Sequence, residues 1–267
     1  MASCPFPVIP EYLAKQSFPS DQIAGARVTC IWTQDAEVSR HVADASLIER
    51  VVDDYVDMIG QVDAILLARD DAEHHYEMSA PFIKAGLPIY IDKPLALSQA
   101  EARRILDLQT HDNQVYSCSA LAFARELTLA DDERATLGTI RRIEATIPNS
   151  WEKYAVHIVE PVLNLIDAPG DIVRSERKIT GEHRRLAVTW GSGVETVFTT
   201  TGSEPVPIRI NIRGEGGETG LAFTDTYAAF KASLQRFIDV VRGDKPTLPR
   251  DRLMRVMEVI ERGLQGE

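Results

Sequence analysis

Two groups of residues in this 267-residue chain could carry chemistry. The first is Ile89-Tyr90-Ile91-Asp92-Lys93-Pro94, an apolar β run that ends in a charged pair and a proline. A strand that delivers a lysine at its carboxyl end puts an amine where ligands sit in a parallel sheet. The second is a helical stretch, residues 149–166. Lys153, His157 and Glu160 recur there at three- and four-residue spacing and share one side, with Tyr154 at its border. A lysine, a histidine, a tyrosine and a carboxylate gathered this way can pass protons. The same residues also suit a strand end with a solvated lysine and a helix with an incidental histidine, so the residues alone leave both readings open.

Positioning such groups takes a scaffold, and the chain reads as one. Ala26–Trp32 is rich in β-branched residues, and Val62–Ala68 is a nearly continuous apolar run suited to a parallel strand covered on both faces. Gln114–Ser119 is a further short strand. Helical segments are expected over 35–45, 73–85 (stopping at Gly86) and 98–108. This alternation marks a βαβ layered domain. After residue 120 the pattern changes to strands at 139–147, 172–179, 184–190, 194–200, 208–213 and 221–223, with glycine-rich turns that describe an antiparallel meander. Pro161 predicts a kink or restart in the helix over 150–166. Helices return at 227–241 and 252–264. The expected division is an incomplete Rossmann-like α/β domain, 1–119, and an α+β domain on an open, mainly antiparallel sheet, 120–267, with a ligand cleft between them. Prolines 5, 7 and 10 break the first eleven residues, Val8-Ile9 is at best a two-residue edge, and Tyr12–Phe18 could form a short helical piece.

The formal net charge of −11 gives no broad attraction to nucleic acid or anionic membrane. No apolar run approaches the ~18 residues of a membrane span, and the N-terminus does not read as a secretory signal. Three scattered cysteines suit a reducing, cytoplasmic setting. Asp70, Asp71, Glu73 and His74 match no common metal spacing. His75 begins a helix on the ligand side of the sheet. P-loop, G-x-S-x-G and H-E-x-x-H motifs are absent, and GEGGETG at 214–220 reads as a hairpin.

YIDKPLAL, 90–97, resembles the E-K-P segment of the Gfo/Idh/MocA oxidoreductases, with Asp92 in place of glutamate. The resemblance extends to VDAILLARDDAEHHYEMSAPFIKAGLPIYIDKP, 62–94, to the His157 helix, which is similar to a D-x-G-x-H-x-x-D segment, and to the C-terminal stretch 243–265. It implies hydride transfer between NAD or NADP and a carbinol carbon of a sugar-like or cyclic polyol, in a homodimer joined through the second sheet. By the same resemblance Lys93 and His157 are catalytic, and Lys153, Tyr154 and Glu160 face the substrate. Thr33, Ala68, Arg69, His75, Asp92 and Pro94 line the cofactor.

Three departures qualify this. Lys153 stands where the family has aspartate. Thr33 stands where an acidic residue would clasp the ribose of NAD, which is compatible with NADP. No GxGxxG loop precedes Ala26–Trp32, and residues 1–25 resemble a connection between the family's first helix and second strand. A fragment, a misplaced start or a short form without the cofactor loop are all open on this reading. Two alternatives follow: a cofactor-independent lyase or isomerase on the same scaffold, and a non-catalytic binding protein. The missing loop leads to an expected dissociation constant for nicotinamide cofactors poorer than about 100 μM.

Overall fold

A computed structural model describes residues 11, 14–17 and 19–265. The expectations placed on residues 1–10 and on Tyr12–Phe18 lie wholly or partly outside these. The architecture is parallel strands in a Rossmann-like part, followed by a mixed, mainly antiparallel sheet.

In the first part, β1 (Cys30–Ile31) pairs in parallel with β2 (Arg50–Val51). Separately, β3 (Ile65–Leu67), β4 (Ile89–Ile91) and β5 (Val115–Tyr116) form a three-stranded parallel sheet. Helix α1 (Ala36–Ser46) starts at Asp35, whose carboxylate accepts the amides of Glu37 and Val38 at 2.7 and 3.3 Å. Helix α2 (His75–Lys84) follows a 3-10 turn, Ala72–His74, and gives way to Gly86 at φ 83°. Helix α3 (Gln99–Leu106) is capped by Ser98, which accepts the Glu101 amide at 3.2 Å.

The two parallel sheets do not join. In a doubly wound sheet the first strand lies between the second and the fourth. By chain order β1 and β3 correspond to those flanking strands, and among the described residues no strand pairs with the outer edge of either. This also explains why the expected strand Ala26–Trp32 shrinks to two paired residues: only one of its edges has a partner. Strands in a parallel sheet are normally covered on both faces, yet Leu66 in β3 is 45% exposed and Val28 52%.

The second part begins with α4 (Asp131–Leu137) and β6 (Ile140–Ile147). Helices α5 (Trp151–Tyr154) and α6 (Val156–Leu165) follow, so the expected single helix is interrupted at Ala155, and Pro161 lies inside α6. Strands β7 (Ile172–Thr180), β8 (His183–Trp190) and β9 (Glu195–Thr200) form a meander. β10 (Arg209–Gly214) and β11 (Glu218–Ala222) form a hairpin. The sheet order is β11-β10-β6-β9-β8-β7, with β6 parallel to β9. That departs from a simple meander because helices, not a tight turn, link β6 to β7, which frees β6 to enter between β10 and β9. Ile143, Ala145 and Ile147 of β6, with Leu186, Val188 and Trp190 of β8, are buried in the main core together with Ile158 and Val162 of α6.

Helix α7 (Thr226–Val241) lies on the first part, its Phe237 ring edge-on to Tyr90 at 5.6 Å. Helix α8 (Arg250–Leu264) packs on α3, α5 and α6, and its Ile260 carbonyl accepts the Trp151 indole N–H at 3.0 Å. Among the described residues no helix is long and apolar enough to cross a membrane.

Candidate active site

Lys93 leaves the sheet directly from β4. The Asp92 amide donates to the Leu67 carbonyl at 3.0 Å and extends the ladder by one bond. The chain then turns through a cis Lys93–Pro94 peptide. The Lys93 side chain is 15% exposed, with Nζ 3.7 Å from Asp92 Oδ2. Burial raises the Asp92 carboxyl above its ordinary range, and the Lys93 cation offsets part of that. Nζ also stands 5.9 Å from the centre of the Tyr154 ring, which lies 5.8 Å from the His157 ring. Three of the residues singled out from the sequence are thereby brought together from two distant segments.

His157 is buried. Its Nδ1 lies 2.8 Å from Ser119 Oγ, which leaves Nε2 to address a ligand. Desolvation, with the Lys93 cation second, lowers its pKa from 6.5 to about 3. It is therefore neutral throughout the physiological range. Glu160 differs from its expected place at the substrate. It is 3% exposed and accepts the Ser119 amide through Oε2 at 2.9 Å, so it lies behind the site. Burial raises its pKa from 4.5 to about 8, opposed by that amide and by Arg252.

Lys153 is half-exposed and pairs with Asp70 at 2.8 Å. Asp70 feels both Lys153 and Lys93, which lower its pKa. The cation at 153 is thus matched by a carboxylate on the loop after β3. Tyr154 also lines a cavity of about 480 Å³ with Asn149, Glu152, Glu182, Arg184 and Ser203.

The expected cofactor residues divide. Thr33, Ala68, Arg69 and Asp92 stand at the carboxyl ends of β1, β3 and β4. The Thr33 hydroxyl is held locally by the Asp35 carbonyl and Ser39. Arg69 forms a fork to Asp71 and, with the Gln34 amide turned to suit, donates to Gln34 across the gap between β1 and β3. Pro94 is buried in the turn. His75 is corrected: it is fully buried, and its ring nitrogens contact the carbonyls of Leu95 and Arg69 at 3.0 and 2.8 Å, leaving neither for a cofactor. It ties the loop after β3 to the segment after Pro94. The described residues therefore fit part of a nicotinamide dinucleotide. The strand ends that would flank the nicotinamide are present, but no glycine loop leading into a helix stands between β1 and β3 to hold a diphosphate. Ser119 and Asp70 were missed from the sequence. Ser119 does end the strand expected at 114–119, and that position was its only signal.

A lysine at a parallel strand end thus stands near a neutral histidine from a helix beside an open sheet, on a Rossmann-like scaffold. Residues 12–119 match the model of the Gfo/Idh/MocA family, described as oxidoreductase family, NAD-binding Rossmann fold. The chain is similar in fold to myo-inositol 2-dehydrogenase from Lactobacillus plantarum (TM-score 0.76, 15% identity, 91% of this chain and 90% of that one). It is also similar to UDP-N-acetylglucosamine 3-dehydrogenase GnnA from Acidithiobacillus ferrooxidans (0.73, 16%, 92% and 94%). GenD2 of gentamicin A biosynthesis, solved in complex with NAD, is a third (0.74, 16%, 88% and 85%). Among curated proteins no sequence relative was found.

Proposed function

We propose that this chain is a nicotinamide-linked dehydrogenase acting on a carbinol carbon of a sugar-like or cyclic polyol. The observation that carries the reading is the convergence of Lys93, Tyr154 and His157 at the carboxyl end of β4, with Lys93 inside the stretch, 12–119, that matches an NAD-binding family. The dehydrogenase neighbours support the substrate class, and the cavity beside Tyr154 is of the size such ligands occupy. When bound, the nicotinamide exchanges the hydride.

The chain's own residues do the rest. Lys93 Nζ hydrogen-bonds the carbinol oxygen and exchanges its proton, while Asp92 holds the amine in place. His157 presents Nε2 to the same oxygen, and Tyr154 forms a wall between them. Lys153, held by Asp70, reaches outer hydroxyls of the substrate. NAD or NADP is accommodated on this reading. The proposal includes a homodimer through the outer face of the six-stranded sheet, and a reducing cytoplasmic setting in keeping with the free, buried Cys30 and Cys118.

One observation favours a second reading. The unjoined parallel sheets suit an enzyme that uses Lys93 and His157 for elimination or isomerisation without a dinucleotide. Incubating the chain with millimolar NAD or NADP and a panel of inositols, aldoses and nucleotide sugars, and following the absorbance of the reduced nicotinamide, separates the two. Reduction that Lys93→Ala abolishes supports the dehydrogenase. Its absence throughout the panel, with polyol conversion detected by NMR, supports the second reading.

A further inference from the structure

We propose that Ser119 holds His157 as its Nε2–H tautomer, so that His157 meets the substrate oxygen as a hydrogen-bond donor and proton exchange is left to Lys93. The consequence for substrate rests on the dehydrogenase reading above, but the tautomer itself does not.

A serine hydroxyl has one proton and two acceptor positions. One acceptor position of Ser119 Oγ is taken by the Leu121 amide, at 3.1 Å. The remaining contact is His157 Nδ1, at 2.8 Å. If the hydroxyl donates to Nδ1, every group is satisfied and the neutral ring carries its proton on Nε2. If Nδ1 carried the proton, it would donate to Oγ, and the serine proton would need another acceptor. Ser119 is fully buried, and among the described residues no further acceptor contacts its hydroxyl. The Glu160 carboxyl receives the Ser119 amide instead. Leaving a buried hydroxyl proton unbonded disfavours the second arrangement by roughly ten- to a hundredfold.

An imidazolium meets the same obstacle at Nδ1. It also meets the Lys93 cation and the loss of water around the ring. The Tyr154 ring lies tilted against the imidazole at 5.8 Å, and the Glu160 carboxyl accepts the Ser119 amide. Ser119 is therefore a positioning residue that acts through His157. A ring protonated at Nε2 cannot take a proton from a hydroxyl at that atom, and its other nitrogen is occupied.

The test is nitrogen-15 NMR of the whole, ligand-free chain carrying labelled histidine. Long-range proton–nitrogen correlations report the tautomer, and the peaks lost in His157→Asn provide the assignment. The expected result is a protonated Nε2 and an unprotonated Nδ1, unchanged from pH 5 to 8. Ser119→Ala should move the tautomer ratio toward Nδ1–H by at least about tenfold, and Ser119→Thr, which keeps the hydroxyl, should restore it. A wild-type ring protonated at Nδ1, an imidazolium at pH 6, or a wild-type ratio in Ser119→Ala would each overturn the proposal. The wild-type spectrum decides even if Ser119→Ala does not fold. Because no cofactor or polyol is present, failure here is separate from failure of the dehydrogenase reading, which the absorbance assay tests.

Discussion

Two buried groups shifted in opposite directions set how the stability of this chain should vary with pH. Glu160 keeps its proton up to about pH 8 in the native state, against an ordinary value of 4.5. Its contribution to stability is full below 4.5 and is lost as pH rises through about 8. His157 refuses its proton down to about pH 3, against 6.5. Its contribution is full above 6.5 and is lost as pH falls through about 3. Each difference of one bound proton is worth ~1.4 kcal/mol per pH unit. From 4.5 to 6.5 the two slopes cancel. From 6.5 to 8 Glu160 acts alone, and over about 1.5 units the loss should reach ~2 kcal/mol. Urea denaturation, followed by fluorescence of the three tryptophans at pH 5, 6.5, 7.25 and 8, measures this. Glu160→Gln should abolish the fall above 6.5 and uncover the His157 rise below it. His157→Gln should instead extend the fall down to 4.5. If wild type and Glu160→Gln lose equal stability between pH 6.5 and 8, the buried protonated carboxyl is wrong.

Lys93→Met should raise the His157 pKa from about 3, because the Lys93 cation opposes imidazolium formation; NMR titration of the labelled ring reads the direction. Gly263→Ala should destabilise by ~1–3 kcal/mol, since a Cβ on α8 would overlap the Trp151 indole, although Gly→Ala in a helix interior ordinarily gains ~1 kcal/mol; thermal unfolding checks the sign. Light scattering at micromolar concentration should give about twice the chain mass of 29.7 kDa if the outer sheet face joins two copies, and a single-chain mass would count against the dimer.

What was legible in the sequence was local. An apolar run ending in Asp92-Lys93-Pro94 announces a strand end, and Lys153, His157 and Glu160, with Tyr154 at the border, declare a shared helical side through their spacing. What escaped was set by contacts across long stretches of chain. Ser119 meets His157 38 residues away, and Asp70 meets Lys153 83 residues away; neither pairing leaves a periodic trace. His75 reads as a ligand-side histidine because it starts a helix beyond a strand, yet its burial depends on the Leu95 carbonyl folding back over it. Residue alternation also says which face of β6 is buried, but not that β9 runs parallel beside it.

The proposed polyol dehydrogenase site has its nicotinamide end built around Lys93, while no diphosphate cradle stands among the described residues. Calorimetric titration of the chain and of Lys93→Ala with NAD, NADH, NADP and NADPH tests it most directly. Saturable binding is predicted with a dissociation constant poorer than about 100 μM, weakened further by Lys93→Ala. Micromolar binding indifferent to Lys93, or no saturable binding at millimolar cofactor, would contradict it.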